Sequence, residues 1–394
     1  MTDVAERLDE LRESGLHRRL RLVQSPQGSH VLLDGRDVLL LCSNDYLGLA
    51  GHPRIRTAAA EAAMRWGAGS GSARLISGNM PPHRDLERRL AAFKGYEAAL
   101  LFGSGYLANT GTIAALAGRG EVVFSDELNH ASIIDGCRLS RAETFVYRHG
   151  DVEHLAWGLQ EAGGRAALIA TDGLFSRDGD VAPLAELAEL ARRHGCRLLV
   201  DEAHATGTLG PGGRGSVAAA GLGGEVDVVV GTLGKALGSY GAYVCADAEL
   251  VEYLLNAARS FVFSTAPPPP AVAAAEAALE LLEAHPERVE RVAANAATLR
   301  RALAAEGLPV ADSGTQIVPL AIGDEDLTMS LCERLLEGGV FAQGIRPPTV
   351  PEGTSRLRLS VTAAHRRAEL QAAAELVGAT ARELGLSSPT TLAA

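Results

Sequence analysis

Lysine is rare in this chain, and its two copies stand in different surroundings. Of 37 basic residues, only Lys94 and Lys235 are lysines. Lys235 lies among small residues beside an apolar run, which suits a buried amine, whereas Lys94, near a predicted helix end, is expected on the solvated surface. A desolvated lysine can lose its proton and form an imine, a reaction that arginine cannot perform. Lys235 is therefore the candidate for covalent chemistry, with chance survival as the alternative.

Polar residues follow several apolar runs at the points where predicted strands end. Asp126 and His130 follow one run, residues 172–176 follow a second, and Asp201 and Thr232 end two more. In open parallel sheets, ligands bind at the carboxyl ends of the strands. We therefore expect these polar groups to meet at one edge of a sheet.

A pyridoxal phosphate cofactor accounts for this set of residues. Such a cofactor needs a lysine that forms an imine, an acid at the pyridine nitrogen, packing over the ring and a phosphate site. We assign Lys235 to the imine, Asp201 to the nitrogen and His130 to the face of the ring. The structural alternatives are an aspartate that caps a helix and a histidine that is satisfied within a loop.

The remaining polar groups suit the phosphate and the phenolic oxygen of the same cofactor. The glycine-rich turn at 102–111 leads into a predicted helix, whose N-terminal N–H groups suit a phosphate, and Thr232 lies three residues before Lys235. Ser176 and His204 are expected within reach of the phenolic oxygen. The turn alone is weak evidence, because most glycine-rich turns bind nothing, and it gains meaning only beside the candidate lysine.

Other kinds of site are not supported. The string DEAH at 201–204 also occurs in helicase-type NTPases, but these need a phosphate loop that ends in Lys-Ser or Lys-Thr, and Ala236 follows the only Gly-Lys pair. No metal site is predicted, since the histidines do not pair at ligand spacing, and the G-x-S-x-G motif of serine hydrolases is absent. The net charge of −11 makes nucleic acid an unexpected partner.

The cysteines and the N-terminus predict a cytoplasmic protein. Five cysteines are scattered singly, which argues against a disulfide framework. The charged, amphipathic N-terminus lacks the apolar core of a secretory signal. No uncharged apolar run reaches the length that spans a membrane.

Helix and strand patterns alternate through most of the chain and predict an α/β fold with a mostly parallel central sheet covered by helices on both faces. Strands are predicted at 121–126, 144–149, 166–172, 197–202, 227–232 and 241–246. Helices are predicted at 1–20, 53–66, 82–94, 105–118, 183–195 and 271–306, the last with a break near His285-Pro286.

The two ends of the chain have a different pattern. A hairpin is predicted at 30–43 around Asp34-Gly35, and strands near 316–322 and 355–361 belong to an α+β tail. We therefore divide the chain into an N-terminal segment (1–50), a large cofactor-binding domain (51–285) and a small C-terminal domain (286–394).

Eight motifs in fixed order resemble the α-oxoamine synthases of the aminotransferase-like, fold-type I superfamily of pyridoxal-phosphate enzymes. The resemblance covers nearly the whole chain. The motifs are SNDYLGL (43–49), GSGSARLISG (69–78), SGYLANTG (104–111), NHASIIDG (129–136), DGLFSRDGD (172–180), VDEAHATG (200–207), GTLGKALG (231–238) and RLRLSVTAAH (356–365).

The resemblance implies a role for each matching position. Catalytic roles fall to Lys235, as imine and base, with His130 and Asp201. The implied cofactor contacts are Gly105, Tyr106, His130, Ser176, Asp201, His204, Thr232 and Lys235, with Ser264 and Thr265 reaching the phosphate of a partner subunit. The implied substrate contacts are Arg18, Asn44, His130, Thr349 and Arg358. A homodimer with shared active sites follows from the same resemblance.

The family implies condensation of an amino acid with an acyl thioester, followed by loss of carbon dioxide. GIRPPTVPEGTSRLRLS (344–360) most resembles the branch that serves biotin synthesis, which joins L-alanine to pimeloyl-CoA or pimeloyl-[acyl carrier protein]. GTLGKALGSYGAYV (231–244) is closer to the threonine-degradation branch, glycine C-acetyltransferase. That branch uses glycine with acetyl-CoA and remains the alternative.

Overall fold

The chain begins with a short surface helix. The computed structural model describes residues 3–14, 16–347 and 349–386. Helix α1 (Val4–Glu13) has no buried residue. The predicted extension of this helix to residue 20 is wrong, because Ser14 Oγ donates to the carbonyl of Glu10 (2.7 Å) and closes the last turn.

The predicted hairpin follows and is confirmed. Strands β1 (His30–Leu33) and β2 (Arg36–Leu40) pair antiparallel. Asp34 and Gly35 connect them with φ of 47° and 81°. A two-residue connection with both φ values positive matches the twist of the flanking strands.

A seven-stranded sheet forms the centre of the molecule. Its strands are β3 (Ala98–Phe102), β4 (Val122–Asp126), β5 (Glu143–Tyr147), β6 (Ala166–Asp172), β7 (Arg197–Asp201), β8 (Val228–Thr232) and β9 (Ala242–Ala246). The spatial order is β3-β9-β8-β7-β6-β4-β5. Only β9 runs antiparallel to its neighbours, so the predicted mostly parallel sheet is confirmed. Strand β3 was not predicted.

Helices cover both faces of this sheet. Side chains alternate along each strand: Leu198 and Val200 of β7 pack into one layer, and Leu199 packs into the other. The layer at Leu199 contains α4 (Gly105–Leu116), α5 (Ala131–Ser140), α9 (Ala248–Ala257) and α10 (Arg259–Val262). The opposite layer contains α2 (Pro53–Trp66), α3 (Pro81–Lys94), α6 (Val152–Ala162), α7 (Leu184–His194), α8 (Ser216–Ala219) and α11 (Pro269–Ala284).

The C-terminal part is a smaller α+β unit, as predicted. Its elements are α12 (Glu287–Ala305), β10 (Ile317–Gly323), α13 (Glu325–Glu337), β11 (Val340–Phe341), β12 (Gln343–Ile345), β13 (Ser355–Ser360) and α14 (Arg367–Glu383). Strands β10, β13 and β12 form an antiparallel sheet. Strand β11 pairs with β2, so the N-terminal hairpin extends the C-terminal unit. The gap between α11 and α12 is the predicted break near His285-Pro286. The domain boundaries stay a prediction.

Lys94 is buried, and its predicted place on the solvated surface is wrong. Its side chain and that of Glu202 are each 1% exposed and form an ion pair. Lys94 Nζ also donates to Thr206 Oγ1 (2.8 Å) and to the carbonyl of Arg214 (2.7 Å). Burial is possible because the ammonium has an anionic partner and two further acceptors.

Among the described residues, none of the helices has both the length and the apolar character needed to cross a bilayer.

Candidate active site

Buried aspartates meet at the carboxyl edge of the central sheet. Asp126, Asp172 and Asp201 end strands β4, β6 and β7, and Thr232 ends β8. The three carboxylates are 2–4% exposed. Asp172 and Asp201 stand opposite each other in register. The structure thus brings together the strand ends that the sequence singled out.

Lys235 follows β8 and points its amine into this edge. Its Nζ lies 2.6 Å from Nε2 of His204. Burial lowers the pKa of Lys235 to about 8, although the carboxylates of Asp201 and Asp172 oppose this, and the charge of Arg358 adds to the lowering. A substantial fraction of the amine is therefore unprotonated slightly above neutral pH, as a nucleophilic lysine requires.

A row of polar side chains leads away from Lys235 on the far side of His204. His204 Nδ1 lies 2.7 Å from the hydroxyl of Tyr46, which donates to Asn44 Oδ1 (3.1 Å). Arg358 Nη2 donates to the same Asn44 oxygen (3.3 Å) and to the Tyr46 hydroxyl (3.4 Å). The candidate carboxylate-binding pair, Arg358 and Asn44, is thus connected to the candidate catalytic lysine.

Tyr46 was missed by the sequence analysis, although it lies inside the motif SNDYLGL. It is fully buried in the core. A buried tyrosine hydroxyl needs a hydrogen-bond partner, and this was the available signal. The partner, His204, lies 158 residues away in the chain, so sequence spacing gives no indication of the contact.

A second network surrounds Asp201. Asn109 Nδ2 donates to Asp201 Oδ2 (2.6 Å) and to Ser132 Oγ (2.8 Å). The backbone N–H of Ala203 donates to Asp201 Oδ1 (2.8 Å). Asn109 is fully buried in the middle of α4. It too was missed, and the available signal was a polar residue with poor helix propensity inside a predicted helix.

His130 caps the N-terminus of α5 and belongs to the same network. Its Nδ1 lies 2.8 Å from Ser132 Oγ and accepts from the backbone N–H of Ser132 (3.2 Å). Its own backbone N–H donates to Asp172 Oδ2 (2.7 Å). Burial lowers the pKa of His130, with the charge of Asp201 opposing this. A neutral ring beside the two carboxylates suits packing against a flat ligand.

Asp172 and Asp201 form a pair of adjacent buried acids. Burial raises the pKa of Asp172 well above its ordinary value, and the charge of Asp201 raises it further. Within the described parts of the chain, neither carboxylate forms an ion pair. No cationic side chain of the described residues therefore neutralises this pair of acids by direct contact.

The candidate phosphate residues lie at the start of α4 and the end of β8. Ser104 caps α4 by accepting from the N–H of Leu107, and Gly105 is the first residue of the helix. Thr232 Oγ1 donates to the carbonyl of Gly241 (3.1 Å) and accepts from the N–H of Gly234 (3.2 Å). Gly105 has open space where a Cβ would lie, so a ligand has access to this turn.

Tyr106 is directed away from the buried groups. Its side chain is 46% exposed, and its hydroxyl donates to Asp135 Oδ2 (2.6 Å). Thr265 is exposed and Ser264 is half-buried. The backbone of Thr265 forms an isolated antiparallel β-bridge with that of Ala73. Tyr106 and Thr265 are therefore exposed in the single chain, and Ser264 is partly exposed.

The segment that carries Ser176 follows strand β6 and forms hydrogen bonds with residues of the C-terminal unit. The carbonyl of Ser176 accepts from Arg358 Nε. Its neighbour Arg177 donates to the carbonyl of Thr349 (2.6 Å). Thr349 and Arg18 are both exposed, and the adjoining Pro348 of the predicted substrate motif lies outside the described residues.

The fold and the lysine-centred edge place the protein in a known class. The model of the family described as aminotransferase class I and II matches residues 36–377. The 8-amino-7-oxononanoate synthase of Citrifermentans bemidjiense is 52% identical over 389 residues, which cover 98% of this chain and 100% of that protein. The enzyme of the same name from Anaeromyxobacter dehalogenans is 55% identical over 367 residues, covering 93% and 92%. The chain belongs to the 8-amino-7-oxononanoate synthase family within the class I and II aminotransferases.

Two solved structures resemble the whole fold. A serine palmitoyltransferase from S. paucimobilis with bound PLP and myriocin has a TM-score of 0.92 at 34% identity, over 97% of this chain and 98% of that one. The 8-amino-7-oxononanoate synthase of Francisella tularensis has a TM-score of 0.77 at 28% identity, over 88% and 98%. The predicted fold-type I architecture is confirmed by these similarities.

Proposed function

We propose that this chain is a pyridoxal-phosphate enzyme that condenses L-alanine with a pimeloyl thioester to form 8-amino-7-oxononanoate for biotin synthesis. Carbon dioxide and the free thiol of CoA or acyl carrier protein are the other products. The observation that carries the proposal is the amine of the half-buried Lys235, which contacts His204 (2.6 Å) beside two buried carboxylates that have no ion-pair partner among the described residues. Relatives named for this product share 49–55% identity with the chain.

The charge of the site fits the cofactor. A buried carboxylate is costly unless a cation or hydrogen bonds compensate it. Asp201 has hydrogen bonds from Asn109 and Ala203 but forms no ion pair with a described residue. A protonated pyridine nitrogen would supply the missing positive charge, and Asp201 in turn would keep that nitrogen protonated.

The other parts of the site would hold the remaining groups of the cofactor. Lys235 would bind its aldehyde carbon covalently, and the neutral ring of His130 would pack on its face. The residues proposed for its phosphate and its phenolic oxygen are Gly105, Tyr106, Thr232, Ser176 and His204, with Ser264 and Thr265 acting across a homodimer. When bound, the cofactor withdraws electrons from the substrate Cα through its protonated ring.

The side chains of the protein perform the steps around this electron sink. Arg358 and Asn44 would bind the alanine carboxylate, since a guanidinium forms paired, charge-assisted hydrogen bonds with a carboxylate. Lys235 Nζ, which the amine of alanine would have displaced from the cofactor, would then accept the proton from the alanine Cα. Its pKa of about 8 suits this role, because a general base works best when its pKa is near the operating pH.

The acyl substrate and the cellular location complete the proposal. Arg18 and Thr349, which are both exposed, are the proposed contacts of the pimeloyl group. Cytoplasmic residence is supported by the five cysteines, each of which is free, since disulfides form in oxidising compartments.

Release of free thiol tests the reaction. We expect the purified protein with pyridoxal phosphate to release thiol from pimeloyl-CoA only when L-alanine is present, and Lys235→Ala to release none. Faster release from acetyl-CoA with glycine would replace the proposed reaction by that of glycine C-acetyltransferase. No release from either pair would refute the whole family of reactions.

The scarcity of lysine gives a separate test of the cofactor linkage. Borohydride reduction of the protein with bound pyridoxal phosphate should fix the cofactor on the peptide that contains Lys235. Lys94 is the built-in control, because it is the only other lysine and is buried in an ion pair. A label on the Lys94 peptide, or on no peptide, would contradict the assignment.

A further inference from the structure

Hydrogen bonds connect the row of side chains from Arg358 to Lys235. The donor and the acceptor of each hydrogen bond can be derived in turn, starting from Arg358. An arginine side chain has N–H donors and no acceptor. Arg358 Nη2 lies 3.3 Å from the terminal atom of Asn44, so that atom must be the amide oxygen. The oxygen can only accept, and therefore the Tyr46 hydroxyl, 3.1 Å away, donates its proton to it.

The direction continues through Tyr46 to His204. A tyrosine hydroxyl has one proton, and burial raises the pKa of Tyr46, so the proton is retained. With that proton directed at Asn44, the oxygen of Tyr46 must accept from His204 Nδ1, 2.7 Å away. The proton of the neutral imidazole is thereby placed on Nδ1.

His204 is neutral, so it has a tautomer to fix. Burial lowers its pKa well below the ordinary value, and the charges of Lys235, Arg358 and His130 act in the same direction. If Nδ1 carries the proton, Nε2 has a lone pair, which faces Lys235 Nζ at 2.6 Å. Gln316 does not compete for the ring, because its amide nitrogen donates to the backbone carbonyl of His204 (2.8 Å).

We propose that Tyr46 is a positioning residue that fixes His204 in the Nδ1–H tautomer and so presents a hydrogen-bond acceptor to Lys235. The catalytic consequence rests on the proposed function, whereas the tautomer is a property of the chain itself. Tyr46 contacts Asn44, Arg358, Gln316 and His204, and it acts on Lys235 through the histidine.

An acceptor at this position orients the lysine amine. The ammonium and the amine forms of Lys235 both have N–H bonds to donate. The opposite tautomer would place an N–H of His204 against the ammonium, and two donors would then face each other in a buried site. Apart from the neutral His204 ring, the groups that act on Lys235 are the charged side chains of Asp201, Asp172 and Arg358. Loss of the acceptor would therefore leave the two carboxylates to orient the amine.

Nitrogen NMR of the full-length protein, selectively labelled with 15N-histidine, tests the proposal directly. A His204→Gln variant assigns the resonances of residue 204 among the eleven histidines. We expect wild-type protein to show Nδ1 as the protonated and Nε2 as the unprotonated nitrogen. Protonation of Nε2 in the wild type would overturn the proposal.

Tyr46→Phe tests the role of the hydroxyl, with Tyr243→Phe as the matched control. Tyr243 is also fully buried, and its hydroxyl contacts Thr206 (3.0 Å) outside the row. We expect Tyr46→Phe to give a mixture of His204 tautomers and to lower kcat roughly tenfold, less than the 10²–10⁴-fold effect of a direct acid or base. Tyr243→Phe should leave the tautomer as in the wild type.

The outcomes separate this inference from the proposed function. An unchanged His204 spectrum in Tyr46→Phe would refute the positioning role, whatever the activity. A rise in the KM for alanine with unchanged kcat and tautomer would also refute it, since Tyr46 would then serve only Asn44 and Arg358. If thiol release fails while the tautomer behaves as expected, the proposed reaction is wrong and the assignment of Tyr46 stands.

Discussion

Replacing Lys94 by methionine should destabilise the protein by about 3–5 kcal/mol, the usual cost of leaving one member of a buried ion pair without its partner. Lys94 and Glu202 are each 1% exposed. Glu202 would keep its hydrogen bonds from Ser216 Oγ (2.9 Å) and the N–H of Val217 (2.7 Å). It would lose the only cation that contacts it among the described residues.

The magnitude follows from charge rather than from packing. Methionine retains most of the apolar stem of lysine, so the cavity contribution is small. Burial is the largest single effect and lowers the pKa of Lys94, but the charge and hydrogen bond of Glu202, together with smaller contributions from its other neighbours, raise the pKa overall. The ammonium is therefore held charged by Glu202, and its removal leaves a carboxylate in an apolar environment.

Urea unfolding, followed by circular dichroism and by tryptophan fluorescence, measures the effect. Arg165→Met is the matched control, because the Arg165–Glu143 pair has a similar bond (2.7 Å) but is 50% and 63% exposed. We expect that variant to cost about 0–1 kcal/mol. The double variant Lys94→Met/Glu202→Gln should recover part of the loss, because no buried charge remains. If Lys94→Met costs no more than Arg165→Met, the reasoning is refuted.

Three further predictions concern groups at the carboxyl edge of the sheet. His149 contacts Asp126 (3.0 Å) and Asp180 (2.7 Å), and although burial opposes it, these hydrogen bonds raise its pKa to about 10. The contribution of His149 to stability should be complete below pH 6.5 and lost as the pH rises towards 10. Over this pH range, the urea midpoint should therefore fall more steeply in the wild type than in His149→Gln. Parallel curves for the two proteins would contradict the prediction. Arg358→Lys should raise the KM for alanine roughly tenfold, since lysine cannot form the paired contact, and an unchanged KM would remove Arg358 from the carboxylate site. Asp201→Asn should slow exchange of the alanine Cα hydrogen with deuterated solvent by about 100-fold or more, and retained exchange would show that the acid is misplaced.

The strands and helices of the large sheet were predictable because their signals are local. Apolar runs of three to five residues, each ended by a polar residue or glycine, marked six of the seven central strands. Pro53 and Pro81 fixed the first turns of α2 and α3. Strand β3 was missed because Ala98–Phe102 is a short segment rich in alanine and leucine, residues that favour helices over strands.

The contacts inside the site were not predictable in the same way. Asn109 meets Asp201 across 92 residues, and Tyr46 meets His204 across 158. Spacing carries no information over such distances. The strand ends could be placed at one edge because parallel topology dictates it, whereas the residues that hydrogen-bond to them come from helices and loops whose approach depends on packing.

The two lysines show what a compositional bias can reveal and where it misleads. The rarity of lysine drew attention to Lys235 because its chemistry needs an amine, and Lys94 was set aside as a surface residue. The structure gives Lys94 a comparable reason to be lysine. Its three N–H bonds match three acceptors, on Glu202, Thr206 and Arg214, and the planar fork of arginine would not fit this compact arrangement. In a chain whose other basic residues are arginine, a retained lysine therefore marks a buried position that needs an ammonium, and reactivity must be argued from the neighbours of that position.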